Sequence, residues 1–281
     1  MYEKLAKISV LKGIRISYYF NWENTMKKIA LISTMALALS GIGCSSYLDT
    51  KEGDVSKKKV SWGYTGEIAP IHWGDLSSEF ATCKTGKEQS PINVRPTHDI
   101  DQSAVQFDYQ ISPMRILNNG YTVQVNFEEG SSIAFNGVQY DLLQVHFHTP
   151  SENILMGESY PMEAHFVHAS KDGKLAVVAV LINEGKDSDF IQKVVDNMPH
   201  SKTGEALVSG VHLNGLDFIP DQAGHFGFKG SLTTPPCTEE VQWLMMKAQT
   251  TASKAQIEAL NSVMKDNSRP VQPLHGRMVH E

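Results

Sequence analysis

Apolar and polar residues alternate along most of this chain in short runs punctuated by Asn-Gly, Asp-Gly and proline, the period-two pattern of half-buried strands. Residues 121–127, Tyr-Thr-Val-Gln-Val-Asn-Phe, follow the turn pair Asn119-Gly120 and predict a strand with Tyr121, Val123, Val125 and Phe127 on one face. Residues 174–182 are apolar on both faces after the Asp172-Gly173 turn, which predicts a central strand covered on each side. Helical spacing is rare. It appears over 187–198, stopped by Pro199, and over 253–265, where Ser253 and Gln256 form a capping box and Ile257, Leu260 and Met264 recur on one side. The pattern predicts a mainly β chain with a few short peripheral helices and no internal repeat.

The same alternation groups the polar chemistry. In Gln144-Val145-His146-Phe147-His148, Gln144 and both histidines share one strand face; in Glu163-Ala164-His165-Phe166-Val167, so do Glu163, His165 and Val167. If these strands are neighbours, three imidazoles converge. Three neutral nitrogens at about 2.0–2.1 Å from zinc, with a fourth position open to water, is the pattern of a catalytic zinc site. A lone His-x-His in a strand is more often a pair of hydrogen-bonded histidines. The third histidine shifts the balance, as do Gln144 and Glu163, each placed to fix a ligand ring through its other nitrogen. His168 points to the opposite face and reads as a satisfied buried histidine, and His72 also falls outside the ligand set.

The chain has 281 residues with 41% hydrophobic and 9% aromatic content, enough for one large core. Its beginning is different. Lys27-Lys28 precedes an apolar run over 29–39, too short to span a bilayer, so 26–43 reads as a secretory signal peptide and 1–25 as an upstream extension before Met26. Ser40 to Ser46 resembles a bacterial lipobox with Cys44 as the lipidated residue, although Gly41 stands where leucine is usual. The expected product is exported to the periplasm, anchored to the outer membrane through Cys44 or, alternatively, soluble. Residues 44–60, with Lys57-Lys58-Lys59, read as a solvated tether, and 61–281 as the folded domain.

Residues 1–43 hold six of the 25 Lys/Arg and two of the 31 Asp/Glu, so the chain without them carries a formal charge of −10. That acidity argues against binding nucleic acid. Of the three cysteines, Cys83 and Cys237 remain once Cys44 is set aside, and an oxidising compartment predicts that they pair.

Several motifs in sequence resemble the alpha-class carbonic anhydrases across about 62–277. They are Trp62-Gly63-Tyr64, His72-Trp73, Gln89-Ser90-Pro91-Ile92-Asn93, Leu117-Asn118-Asn119-Gly120, the two histidine segments, Ser231 to Pro236, and Arg269 to Leu274. The resemblance implies a single domain on a large, mostly antiparallel twisted central sheet. It implies Zn2+ on His146, His148 and His165, and reversible hydration of carbon dioxide to bicarbonate and a proton by zinc-bound hydroxide. Zinc-bound water with a pKa of about 7 is what the resemblance implies, carbonic anhydrase being the standard example, and is not read from these residues. Thr233 would orient the hydroxide and donate its own proton to Glu152. The apolar substrate wall would comprise Val167, Val177, Leu232, Val241 and Trp243, with Thr234 at the pocket. For these residues other than Val167, core packing is the reading without the resemblance.

Tyr121 departs from the family pattern, because it stands where efficient members carry a proton-shuttling histidine. A phenol of pKa about 10 exchanges protons poorly near neutrality compared with an imidazole of about 6.5. The resemblance to exported bacterial members also implies a homodimer. Two rival functions are a non-catalytic zinc-binding or adhesion lipoprotein and a zinc hydrolase of esters. The full ligand set with Thr233 and Glu152 argues against the first, and the lack of an acyl pocket or second nucleophile against the second.

Overall fold

The computed structural model describes residues 60–97, 103–220 and 224–281. The upstream extension, the signal peptide, Cys44 and all of the tether before Val60 lie outside them. In chain order the strands are β1 (Asn93–Val94), β2 (Gln106–Asp108), β3 (Ser112–Asn118), β4 (Val123–Asn126), β5 (Ser132–Phe135), β6 (Val138–His148) and β7 (Ile154–Leu155), then β8 (Met162–Ala169), β9 (Leu175–Glu184), β10 (Ala206–Leu213), β11 (His225–Gly230), β12 (Val241–Met246) and β13 (Thr250–Ala252). Among the described residues four α-helices accompany them: the single turns α1 (Trp73–Leu76) and α2 (Thr82–Thr85), then α3 (Asp189–Asn197) and α4 (Lys254–Met264).

Among the described residues one sheet of eleven strands runs β10-β3-β4-β6-β8-β9-β12-β11. β5 pairs with β6 and β2, and β13 extends along β9. β9 is parallel to β12 and β13, and every other pairing in this sheet is antiparallel. β1 and β7 form a separate parallel pair. The predicted central strand is β9, buried along both faces as its unbroken apolar run requires.

Sheet parity separates two cores. Val145, Phe147, Ala164, Phe166, Val178 and Val180 face the larger one, which α3 and α4 cover with Phe190, Ile191, Val194, Leu260 and Met264. Val167, Val177, Ala179, Leu181, Val241 and Trp243 face the smaller one on the opposite side. The Gln144, His146 and His148 row of β6 lies on this second side, next to the smaller core.

Local chemistry sets the element ends. In α4 the Ser253–Gln256 capping box is formed as predicted, and Lys265, at φ 62°, ends the helix. α3 starts two residues later than the pattern suggests, because Ser188 is its cap and accepts from the Ile191 N–H. Gln256 ties the two starts together by bonding both backbone groups of Ser188 at 3.0 Å. β4 begins at Val123 and not at Tyr121, since Asn119 Oδ1 accepts the N–H groups of Tyr121 and Thr122 at 2.9 Å each and holds them in the turn.

Cys83 and Cys237 form the predicted disulfide, 154 residues apart in sequence. In chain-entropy terms a loop of that length is worth on the order of 4–5 kcal/mol. The disulfide packs beneath Trp62, Tyr64 and Trp73 and joins the N-terminal segment to the loop after β11.

Candidate metal centre

β6 and β8 are adjacent and antiparallel, with His146 opposite His165 and His148 opposite Glu163. Parity turns all three imidazoles to one face. Their ring centroids are 5.1, 5.2 and 4.6 Å apart, and one nitrogen from each lies within 4.8 Å of the others.

The outer nitrogen of each ring is held by an acceptor. His146 Nδ1 is 2.9 Å from Gln144 Oε1, and His148 Nδ1 is 2.9 Å from the Asn267 carbonyl oxygen. His165 Nε2 is 3.0 Å from Glu163 Oε1, close but offset from ideal hydrogen-bond alignment. Oxygens that only accept place the ring protons there, which leaves lone pairs on His146 Nε2, His148 Nε2 and His165 Nδ1. His148 Nε2 is buried with no hydrogen-bond partner. Burial holds the His148 imidazole below its ordinary pKa, and burial followed by the two neighbouring imidazoles holds His146 well below. These are neutral nitrogens, the form that binds a metal ion.

Glu163 is buried, yet four N–H groups surround its oxygens. Oε2 accepts from the backbone of Glu152 at 2.8 Å and of Asn153 at 2.7 Å, while Oε1 takes the Asn153 amide at 2.7 Å beside His165. Burial pushes its pKa up, but His165 and the Asn153 donors outweigh that and bring it down.

Glu152 is also buried and differently served. Oε1 accepts the Arg269 backbone N–H at 2.8 Å, and Oε2 lies 3.5 Å from His148 Nε2 and 4.0 Å from His165 Nδ1. Burial pushes its carboxyl up to about 7, against the pull of His165, the Thr233 side chain and the Arg269 N–H. Glu152 Oε2 is buried with no hydrogen-bond partner. Thr233 is buried on the loop after β11, which Trp243 Nε1 pins through the Ser231 carbonyl at 3.1 Å.

Val167, Val177, Val241 and Trp243 form one cluster with Leu232 against it, and the Trp243 ring meets the His165 ring edge-on at 4.9 Å. The apolar wall therefore touches the histidine cluster. Thr234 is half-buried and accepts the Cys237 N–H through its carbonyl. Tyr121 is half-buried and stacks flat on Trp62, with centroids 3.8 Å apart and planes 7° from parallel.

Three contributors escaped the sequence reading. Asn267 supplies the carbonyl for His148 Nδ1, and its side chain bonds Thr149 N, Tyr121 O and Phe147 O. Arg269, buried, bonds Gln89, Ser90 O and Cys83 O and lies over Trp73. Asn153 braces Glu163. Asn153 directly follows Glu152, and Arg269 opens one of the family-like motifs, but neither signal says what the side chain meets. Of the other histidines, His72, His200, His212 and His275 are exposed and His225 is buried. His98 lies outside the described residues.

A family model described as eukaryotic-type carbonic anhydrase matches residues 68–281. A carbonic anhydrase of Nostoc sp. is 36% identical over 263 residues, covering 92% of this chain and 98% of the relative. Two solved structures align at 42% identity over 79% of this chain. One is a hyperthermostable carbonic anhydrase from a hydrothermal vent chimney, covered to 99% with a TM-score of 0.76; the other is the alpha-carbonic anhydrase of Photobacterium profundum, covered to 100% with a TM-score of 0.74.

Proposed function

The chain belongs to the eukaryotic-type, alpha-class carbonic anhydrases, enzymes of carbon dioxide and bicarbonate, and from that premise we propose that it works with a zinc ion held by His146 Nε2, His148 Nε2 and His165 Nδ1. The observation that carries this reading is the three-histidine convergence in which every outer nitrogen lies within 3.0 Å of an acceptor oxygen. A donor set of three neutral imidazoles suits zinc and leaves room for one more ligand. Zinc in such a site supplies a hydroxide nucleophile from water at neutral pH.

The chain's own residues do the rest. Gln144, Glu163 and the Asn267 carbonyl fix the ring orientations. Glu152, once ionised, can only accept, so the Thr233 hydroxyl donates to it and offers its oxygen to the hydrogen of the nucleophile. That turns the nucleophile's lone pair toward the substrate. Val167, Val177, Leu232, Val241 and Trp243 offer carbon dioxide an apolar surface, which suits a small molecule with no charge to grip. Thr234, half-buried and next to Thr233 in the chain, would line the same pocket.

By its resemblance to the family pattern, Tyr121 would take the position from which a proton is relayed. Its phenol is a poor acid and a very weak base near neutrality, and its stacking on Trp62 occupies the ring in packing. Proton release then depends on water and external buffer. The Cys83–Cys237 disulfide supports export to an oxidising compartment, in keeping with a signal peptide over 26–43.

The test is carbon dioxide hydration by the protein before chelation, after chelation and after zinc is restored, together with metal analysis. One zinc per chain, loss of activity with the metal and recovery with zinc are expected. Full activity in the metal-free protein overturns the reading.

A further inference from the structure

Asn153, at the entry to β7, is fully buried and engages both ends of its amide. Oδ1 accepts the Ile92 backbone N–H at 3.1 Å, and Nδ2 donates to Glu163 Oε1 at 2.7 Å. The two contacts fix each other. Ile92 N–H needs an acceptor and Glu163 needs a donor, so the amide has one orientation that satisfies both. Asn153 also donates its backbone N–H to Glu163 Oε2 at 2.7 Å, so it grips both oxygens of one carboxylate.

Glu163 in turn meets two parts of the site. Oε1 faces His165 Nε2 at 3.0 Å, and Oε2 holds the Glu152 backbone N–H at 2.8 Å. A carboxylate free to rotate would keep neither contact in place. β1 pairs with β7 at Asn93 and Ile154, and Ile154 N–H bonds Ile92 O at 3.1 Å, so Asn153 is itself anchored to a separate strand pair.

We propose that Asn153 is a positioning residue for metal retention: by clamping both oxygens of Glu163 it locks His165 with Nδ1 toward the other two imidazoles, and slows loss of the ion. The inference rests on the zinc reading above. Partners that orient a metal-binding histidine typically cost 10–100-fold in metal affinity when removed, and Asn153 acts one step behind such a partner.

The experiment measures zinc release from the loaded full-length enzyme into excess chelator, and thermal unfolding of the metal-free protein, for wild type, Asn153→Ala, Asn153→Asp, Glu163→Gln and the Asn153→Ala/Glu163→Gln double variant. Asn153→Ala and Asn153→Asp are expected to release zinc about ten- to a hundred-fold faster. In the Glu163→Gln background, Asn153→Ala should add less than about twofold, because its effect runs through Glu163. Asn153→Ser, which restores a short donor, should recover part of the retention, and it stands in if the alanine variant does not fold. A lowered melting temperature with unchanged release would make Asn153 a brace of the β1–β7 pair only, and effects that multiply in the double variant would place its action elsewhere; either overturns the proposal. Wild type that binds no stoichiometric zinc overturns the zinc reading itself, a result distinct from tight wild-type zinc with unaltered release in the variants.

Discussion

β8 carries two buried histidines three residues apart, His165 and His168, and they are opposites. Parity sends His165 to the side of the smaller core and His168 to the larger one. His168 has both nitrogens engaged, Nε2 at 2.7 Å from the Tyr109 hydroxyl and Nδ1 at 3.3 Å from the Ala176 carbonyl. A carbonyl only accepts, so Nδ1 holds the proton and Nε2 accepts from Tyr109. His165 keeps one nitrogen uncommitted, and that nitrogen points at two other imidazoles and a carboxylate. Burial is the same in both cases. What separates a candidate ligand from a structural histidine is whether the protein has used both ends of the ring.

The largest expected effect comes from breaking the first face. His148→Ala leaves two imidazoles, too few to hold zinc in the same geometry, so zinc content and carbon dioxide hydration should both be lost, well beyond the roughly 100-fold typical of losing an orienting partner. Stoichiometric zinc with full activity in that variant removes the contrast between the faces. Thr233→Ala should keep its zinc and lose about 10²–10³ in kcat, the scale of one orienting hydrogen bond at a reacting centre. Metal analysis beside steady-state rates separates the two outcomes.

A gain is expected at the edge of the same face. Tyr121→His puts an imidazole where the phenol stacks on Trp62, and should raise kcat about tenfold while leaving kcat/KM nearly unchanged. The unmodified enzyme should respond to buffer concentration, and to imidazole buffers above all. A high kcat that ignores buffer would show that another group already carries the proton.

The smallest effect belongs to the second face. His168→Phe should retain zinc and activity, and lose about 1–3 kcal/mol of stability at pH 8 because the buried Tyr109 hydroxyl loses its acceptor. Its pH dependence provides a sharper check. Burial lowers the His168 pKa to about 3 from the ordinary 6.5, so the folded state favours the neutral ring. That contribution is complete above pH 6.5 and is lost as pH falls toward 3, at about 1.4 kcal/mol per unit. The phenylalanine variant lacks this slope, so the stability gap between the two proteins should narrow as pH falls and close or reverse by about pH 4. Denaturant titrations between pH 4 and 8 measure it, and a gap that stays constant contradicts a neutral His168.

Much of this contrast is local in origin and therefore legible in the chain. Period-two alternation put His146 with His148 on one face of their strand and His165 opposite His168 on theirs, and the Ser253–Gln256 box and Pro199 marked helix ends, because each depends on neighbours within a few residues; that the two strands pair in the register that brings His165 to the other two was left to the fold. Cys83 and Cys237 could be paired by counting. The strand start at 121 was misplaced because Asn119 competes for the backbone of its own turn, a side-chain effect that hydrophobic pattern does not register.

Tertiary structure alone decided what surrounds those residues. Asn267 lies 119 positions from the His148 ring it orients, Arg269 lies 117 from the Glu152 it contacts, and Asn153 lies 61 from its Ile92 anchor. Each is a polar residue on a loop, of a type that is usually solvated, and only the packing of distant segments buries it and forces every donor to find an acceptor. The sequence by itself offered the side chains that could bind a metal ion and the strand face each occupies, and the β6–β8 register brought those faces together. The fold determined which nitrogen each one presents, because a ring's proton is placed by whatever oxygen the rest of the chain brings to its other side.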